Sequence, residues 1–106
     1  MARTLLNVPP KAAKGQVVEI KALIAHPMET GFRPDDGGGI RPRDIINRFR
    51  CTYNGEEVFA ADLYPAVSAN PYLAFTTVAT ESGELAFHWT DDAGRTQTET
   101  AKITVE

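Results

Sequence analysis

Apolar residues recur at alternate positions in short runs along most of this chain, and Gly, Pro, Asn and Asp punctuate the runs. A period of two matches the pleat of a half-buried β-strand, whose successive side chains point to opposite faces. Helical spacing is nearly absent. The first clear strand spans residues 17–25, with Val18, Ile20, Ala22 and Ile24 on one face and Glu19 and Lys21 on the other. Residues 45–53 place Ile45, Phe49, Cys51 and Tyr53 on one side and Arg48, Arg50 and Thr52 on the other, so parity turns Cys51 inward. Asn54-Gly55 then supplies the positive backbone dihedrals of a tight hairpin, and residues 56–63 return antiparallel with Val58 and Phe59.

Pro65 and Pro71 bracket an irregular crossing before a strand over 72–80, rich in aromatic and β-branched residues, whose inward face the pattern leaves ambiguous. Ser82-Gly83 turns the chain into residues 84–91, where Leu85, Phe87 and Trp89 alternate with Glu84, His88 and Thr90. Asp91-Asp92-Ala93-Gly94 reads as a type I turn closed by a left-handed glycine. The last strand, 95–105, sets Ala101, Ile103 and Val105 against Thr96, Thr98, Thr100, Lys102 and Thr104, a face too polar for a core and expected to be solvated. With a short strand near residues 4–8 the count is about seven, as in an immunoglobulin-like sandwich. The expected fold class is all-β, an immunoglobulin-like antiparallel β-sandwich in a single domain over 1–106. An open barrel has the same strand spacing, and pattern alone does not separate the two.

Composition bounds the function. A chain of 106 residues can bury one core but not two, and shares of 42% hydrophobic and 24% charged residues argue against disorder. The net charge of -3 and scattered basic residues argue against a nucleic-acid surface. Arg41, Arg43, Arg48 and Arg50 come nearest to a patch, but Asp44 lies among them and the group reads as a solvated strand face. No apolar run approaches the roughly twenty residues of a membrane span. The N-terminus lacks the basic, apolar and small-residue segments of a signal peptide, so composition by itself points to a soluble, cytoplasmic protein. The single cysteine, Cys51, has no partner for an internal disulfide.

Residues 26–42 break the strand pattern with three prolines and the run Gly37-Gly38-Gly39, a connection longer than compact domains usually carry without a role. The glycines lack the Lys-Ser/Thr of a phosphate loop and open no helix, which leaves a flexible hairpin tip. Two histidines, Met28 and Cys51 have the composition of a blue-copper site, but Cys51 is followed by Thr52, Tyr53 and Asn54, and His88 lies mid-strand. No metal or cofactor is expected. A Cys/His nucleophilic pair needs an exposed thiol, whereas Cys51 shares a face with Phe49 and Tyr53. His88 reads as a surface residue and His26 as an anchor for the start of the long loop. Glu56-Glu57, Asp35-Asp36 and Asp91-Asp92 all flank turns, whose chemistry explains them. The residues thus suit binding better than catalysis, and no catalytic residue is expected.

Five blocks carry a family resemblance: His26-Pro27-Met28-Glu29-Thr30-Gly31, Cys51-Thr52-Tyr53-Asn54-Gly55-Glu56-Glu57-Val58-Phe59, Ala69-Asn70-Pro71-Tyr72-Leu73, Val78-Ala79-Thr80-Glu81-Ser82-Gly83 and Trp89-Thr90-Asp91-Asp92. In this order, across nearly the whole chain, they resemble the Z subunits of the SoxYZ sulfur carrier of thiosulfate oxidation. The resemblance implies a non-catalytic subunit that binds a Y-type sulfur-carrier partner, which bears the covalent substrate on a C-terminal cysteine, and presents it in transient contacts to other thiosulfate-oxidation enzymes. This chain ends instead in Ala101-Lys102-Ile103-Thr104-Val105-Glu106, without Gly-Gly-Cys-Gly. The resemblance also implies a periplasmic location reached by co-export with the partner, against the cytoplasmic reading from composition. For partner contact, the long loop supplies His26, Met28, Glu29, Thr30 and Gly31, together with one sheet face. Two competing expectations are a thiol carrier using Cys51 and a stand-alone ligand-binding or adhesion sandwich.

Overall fold

The computed structural model describes residues 2–106. Eight strands follow in order: β1 (Thr4–Asn7), β2 (Lys11–Ala12), β3 (Val17–Ile24), β4 (Ile46–Tyr53), β5 (Glu56–Asp62), β6 (Tyr72–Val78), β7 (Gly83–Asp91) and β8 (Thr96–Val105). They form a three-stranded sheet, β1-β3-β6, and a five-stranded sheet, β2-β8-β7-β4-β5. The immunoglobulin-like sandwich expected from the alternating pattern is the fold. The strand beyond the expected count is β2, whose two residues are too few to show a period. It exists because Pro9-Pro10 ends pairing with the first sheet and passes the chain to the second. There β2 runs parallel to β8, with the Thr104 N–H donating to the Pro10 carbonyl at 2.9 Å and the Glu106 N–H to that of Ala12 at 3.0 Å.

Alternation places the core as expected in β3, where Val18, Ile20, Ala22 and Ile24 are buried, and in β7, where Leu85, Phe87 and Trp89 are. Phe49 of β4 is the hub, with its ring centroid 5.4 Å from Trp89, 6.1 Å from Phe59 and from Phe75, and 6.3 Å from Phe87. Phe59 of β5 stacks on Phe75 of β6 at 4.4 Å, closing the gap between the sheets along one side. The ambiguous face of β6 resolves accordingly: Phe75 is buried and Tyr72 exposed.

Strict parity fails at two places, one in β4 and one in its partner β5. The pairing of β4 with β5 shifts register between Cys51 and Thr52, and its pairing with β7 shifts between Ile46 and Arg48. An extra residue at such a shift turns two neighbours to the same side. At one shift the extra residue is Asn47 of β4, and Ile46 joins Ile45 in the core; at the other it is Val58 of β5, and Val58 and Phe59 both pack against the core, while Thr52 keeps its expected outer face opposite Ala86 and is buried there. The Asn54-Gly55 hairpin forms as expected, with φ of 49° and 84° at its two central residues.

The radius of gyration is 16.1 Å, against the roughly 13 Å of a chain this long in compact form. The longest axis is 59 Å. β8, the longest strand, supplies about 33 Å of this at about 3.3 Å per residue. Residues 26–45 lie outside the two sheets and form an arm held by two bridges of its own, Glu29 to Asp44 and Pro34 to Ile40. Phe49→Ala is expected to destabilise the domain by about 3–5 kcal/mol, because four aromatic contacts and a fully buried ring are lost together; urea unfolding followed by circular dichroism measures it.

Candidate functional site

The long connection is an ordered ribbon. Glu29 and Asp44 exchange both backbone hydrogen bonds, at 2.9 and 2.8 Å, and further out Arg41 donates to the Arg33 carbonyl at 2.9 Å. Pro34 and Ile40 form a second antiparallel bridge. At the tip the Asp35 carboxylate accepts from the Gly37 and Gly39 N–H groups at 2.9 and 2.8 Å, which fixes the turn that the three glycines permit.

The base of the arm is fastened to the sandwich by charge. Asp92, on the β7–β8 turn, accepts from Arg43 Nε at 2.8 Å and Arg43 Nη2 at 3.1 Å, from Asn47 Nδ2 at 3.0 Å and from the Ile45 N–H at 3.2 Å. These donors, Arg43 first, hold its carboxyl below the usual value of 3.8, at about 2. Next to it Asp91 accepts from the Ala93 and Arg95 N–H groups and from Arg95 Nε. Arg95 Nη2 in turn lies 3.7 Å from Asp44.

The five residues expected to meet a partner come together here, but each has a local task. His26 is joined to the 63–71 crossing, its N–H donating to Asn70 Oδ1 and its carbonyl accepting from the Asn70 N–H. His26 Nδ1 accepts from the Met28 N–H at 3.0 Å. Met28 adopts φ of 52°, sparsely allowed for a side chain of this kind. The turn drives its side chain into the core, where it is 3% exposed and its Sδ accepts from the Ile46 N–H. Met28 thus presents nothing to a partner directly; it anchors the arm from below. Glu29 accepts from Arg33 Nη2 at 2.9 Å, and the Thr30 hydroxyl accepts from the Phe32 N–H. Gly31 has φ of 86°, and a Cβ there would lie 3.0 Å from that of Arg43, so the two sides of the ribbon could not approach with any other residue.

The apolar residues that do face solvent escaped the sequence reading. Seven large hydrophobics are exposed among the described residues. Five of them, Leu5, Phe32, Ile40, Tyr64 and Tyr72, lie at the arm end, and only Val17 and Val78 lie at the other. Phe32 is 82% exposed. Leu5 and Tyr72 flank Leu23 in one cross-strand row on the outer face of the three-stranded sheet. Their signal was present as large apolar residues inside polar loops and at a strand start, but period-two counting assigns no face to a loop.

Cys51 is buried, and desolvation pushes its thiol up to about 12, so little thiolate exists at neutral pH. His88 is half-buried, with Nδ1 3.0 Å from Thr98 Oγ1. Burial first, and the Arg50 charge second, hold its pKa below the ordinary histidine value. Among the described residues no three His, Cys, Asp or Glu side chains are placed to hold a metal ion, and no helix is long and apolar enough to cross a membrane.

The molecule is an immunoglobulin-like sandwich with a buried thiol and a pinned arm that exposes Phe32 and Ile40 beside its tip. The chain belongs to the SoxZ family: the model of the sulphur oxidation protein SoxZ matches residues 6–102. It is thus a non-catalytic subunit with a role in sulfur oxidation. No curated protein matches it in sequence. Among solved structures it is similar to superoxide reductase (neelaredoxin) from Ignicoccus hospitalis, with a TM-score of 0.77 at 17% identity over 99% of this chain and 82% of that one. It is similar to the neelaredoxin of Archaeoglobus fulgidus, with a TM-score of 0.66 at 18% identity over 97% and 88%. The sulfur carrier protein SoxY from Chlorobium limicola f thiosulfatophilum gives 0.69 at 12% identity over 97% and 78%. At these identities the likeness is one of fold.

Two outcomes test the geometry. Asp92→Asn is expected to cost about 1–2 kcal/mol at pH 7 by weakening charge-assisted hydrogen bonds. Because the folded-state pKa is depressed, the contribution is full above 3.8 and is lost as pH falls through about 2. Urea unfolding of wild type and variant should therefore converge toward the acid end of that window. Cys51 is expected to resist an aromatic disulfide reagent at pH 8 in the native protein and to react fully in denaturant, a result that a thiol carrier using Cys51 would not give.

Proposed function

We propose that this chain is the structural half of a heterodimeric sulfur carrier in thiosulfate oxidation. In this reading it binds a Y-type subunit that carries the covalent substrate and helps present it, through transient contacts, to the enzymes that act on it. The observation that carries the reading is the gathering of Leu5, Phe32, Ile40, Tyr64 and Tyr72 at the arm end. Exposed apolar groups concentrated on one part of a small domain mark a protein interface, and aromatic side chains dominate the affinity of such interfaces. Family membership supports a partner of Y type.

His26, Met28, Glu29, Thr30 and Gly31 remain the proposed partner-binding segment, with a divided role. Glu29 and Thr30 lie at the margin of the contact, while His26, Met28 and Gly31 hold the ribbon in the shape that places Phe32 and Ile40. The preference of the family resemblance for the periplasm, by co-export with the partner, belongs to the same proposal.

Co-purification of the tagged chain from the periplasmic fraction of its native host is expected to yield one roughly equimolar subunit ending in a glycine-flanked cysteine. Recovery of a lone monomer there would favour a stand-alone sandwich instead. In the recovered pair, Phe32→Ser combined with Tyr72→Ser is expected to weaken association about thirtyfold or more, as loss of an aromatic hot spot does, with the melting temperature of the free chain nearly unchanged. Unchanged affinity would remove the arm end from the interface.

A further inference from the structure

Beside the base of the arm, the space between the sheets opens as a cleft of about 440 Å³, reached between the residues before β1 and the start of β8. Trp89, Ile24 and Ile46 line its apolar part; Asp91, Arg95 and Gln97 are among its polar lining residues. Trp89 is 1% exposed, and its indole Nε1 has no hydrogen-bond partner. A buried donor without an acceptor is costly, and native proteins leave few of them.

The strand that borders this cleft has an unfinished edge. β8 pairs with β7 on one side along its length, but on the other side β2 reaches only Thr104 and Val105. The Thr104 and Glu106 N–H groups point toward β2, so by alternation the N–H and C=O groups of Thr98, Thr100 and Lys102 point the same way. Among the described residues no strand meets them. Among the described residues Gln97 bridges the opening, through two side-chain bonds to the Ala2 backbone at 3.0 and 2.8 Å.

Charge selects the ligand. Asp91 is balanced by Arg95 and by two backbone N–H groups, Arg95 is shared with Asp44, and along the edge Glu99, which accepts from Gln97 Nε2, and Lys102 add one charge of each sign, so the site offers no large excess of either. An anion in the cleft would find Arg95 already engaged. A neutral chain with regularly spaced acceptors and donors fits both features: one carbonyl takes the indole N–H and the rest complete the strand edge.

We infer that the Trp89 cleft and the free edge of β8 form one site that receives an extended, uncharged segment of the partner subunit by strand addition. This rests on the docking reading above and specifies which backbone groups carry it. Arg41 Nε and Asp44 Oδ1, the other buried polar side-chain atoms without partners among the described residues, lie in the arm at the same end.

The chain contains one tryptophan, so ¹⁵N-labelled protein gives a single indole N–H resonance. On titration with the unlabelled Y-type subunit, that proton is expected to move downfield, and the amides of Thr98, Thr100 and Lys102 to exchange more slowly with solvent. Trp89→Phe, which removes no hydrogen bond from the free chain, is expected to stay folded and to weaken association roughly fivefold, the equivalent of one net hydrogen bond. Binding that shifts the Phe32 and Tyr72 resonances but leaves the indole and the three amides unchanged would overturn the site while keeping the docking end. Absence of any binding would overturn both.

Discussion

Asp92 sits on the turn after β7, yet the side chains and the backbone amide that fill its carboxylate belong to Arg43, Ile45 and Asn47, between 45 and 49 residues earlier in the chain. An excursion the length of the arm would otherwise be a set of conformers, since ordering each backbone residue costs about 1–2 kcal/mol. Its own bridges are few. The clamp supplies the long-range contact that fixes where the ribbon leaves the sandwich, and it does so with four donors converging on one group. Met28, from the opposite side, drives its side chain beneath the same base. Between these two fastenings the direction of the arm, the position of Phe32 and Ile40, and the wall of the Trp89 cleft are all determined.

The sandwich was legible because burial and alternation coincide in it. β3 and β7 follow a strict period of two, and their inward residues are the core without correction. The Asn54-Gly55 turn was legible for a different reason: its two residues adopt a backbone conformation few others tolerate. Cys51 followed from parity and is buried, which leaves the thiol-carrier expectation without a nucleophile. Where β4 shifts register against β7 at Asn47, parity breaks, and Ile46 turns inside beside Ile45 unannounced. A register shift is a property of two paired strands, so one strand's residues cannot display it.

The arm was legible as an anomaly and not as a structure. Three prolines and four glycines announce irregular backbone, but the order comes from Asp35 on its own tip, Glu29 on Arg33, and Asp92 on Arg43. Ion pairs between loop residues leave no periodic trace in sequence. The two acidic dipeptides at the tip and at the last turn show this well. Turn chemistry was sufficient to explain them, and it is correct for Asp35 and for Asp91. It says nothing of Asp92, whose turn neighbour already does the turn's work and whose own carboxylate is therefore available for the clamp.

The same separation of tasks explains how one fold serves chemically distinct proteins. Neelaredoxins and the SoxY carrier share this sandwich at identities below 20%, so the core tolerates almost complete replacement provided that the alternation persists. What differs must then lie in the loops and the strand edges, where side chains are free of the packing constraint. In this chain the unmet polar groups and most of the exposed large hydrophobics lie at the arm end, together with the unpaired stretch of β8 nearest to it. An isolated monomer gains nothing from that concentration: the buried donors cost stability and the exposed rings invite association. That cost to an isolated monomer is the physical ground on which the arm end, with the sheet edge beside it, is proposed as the docking surface.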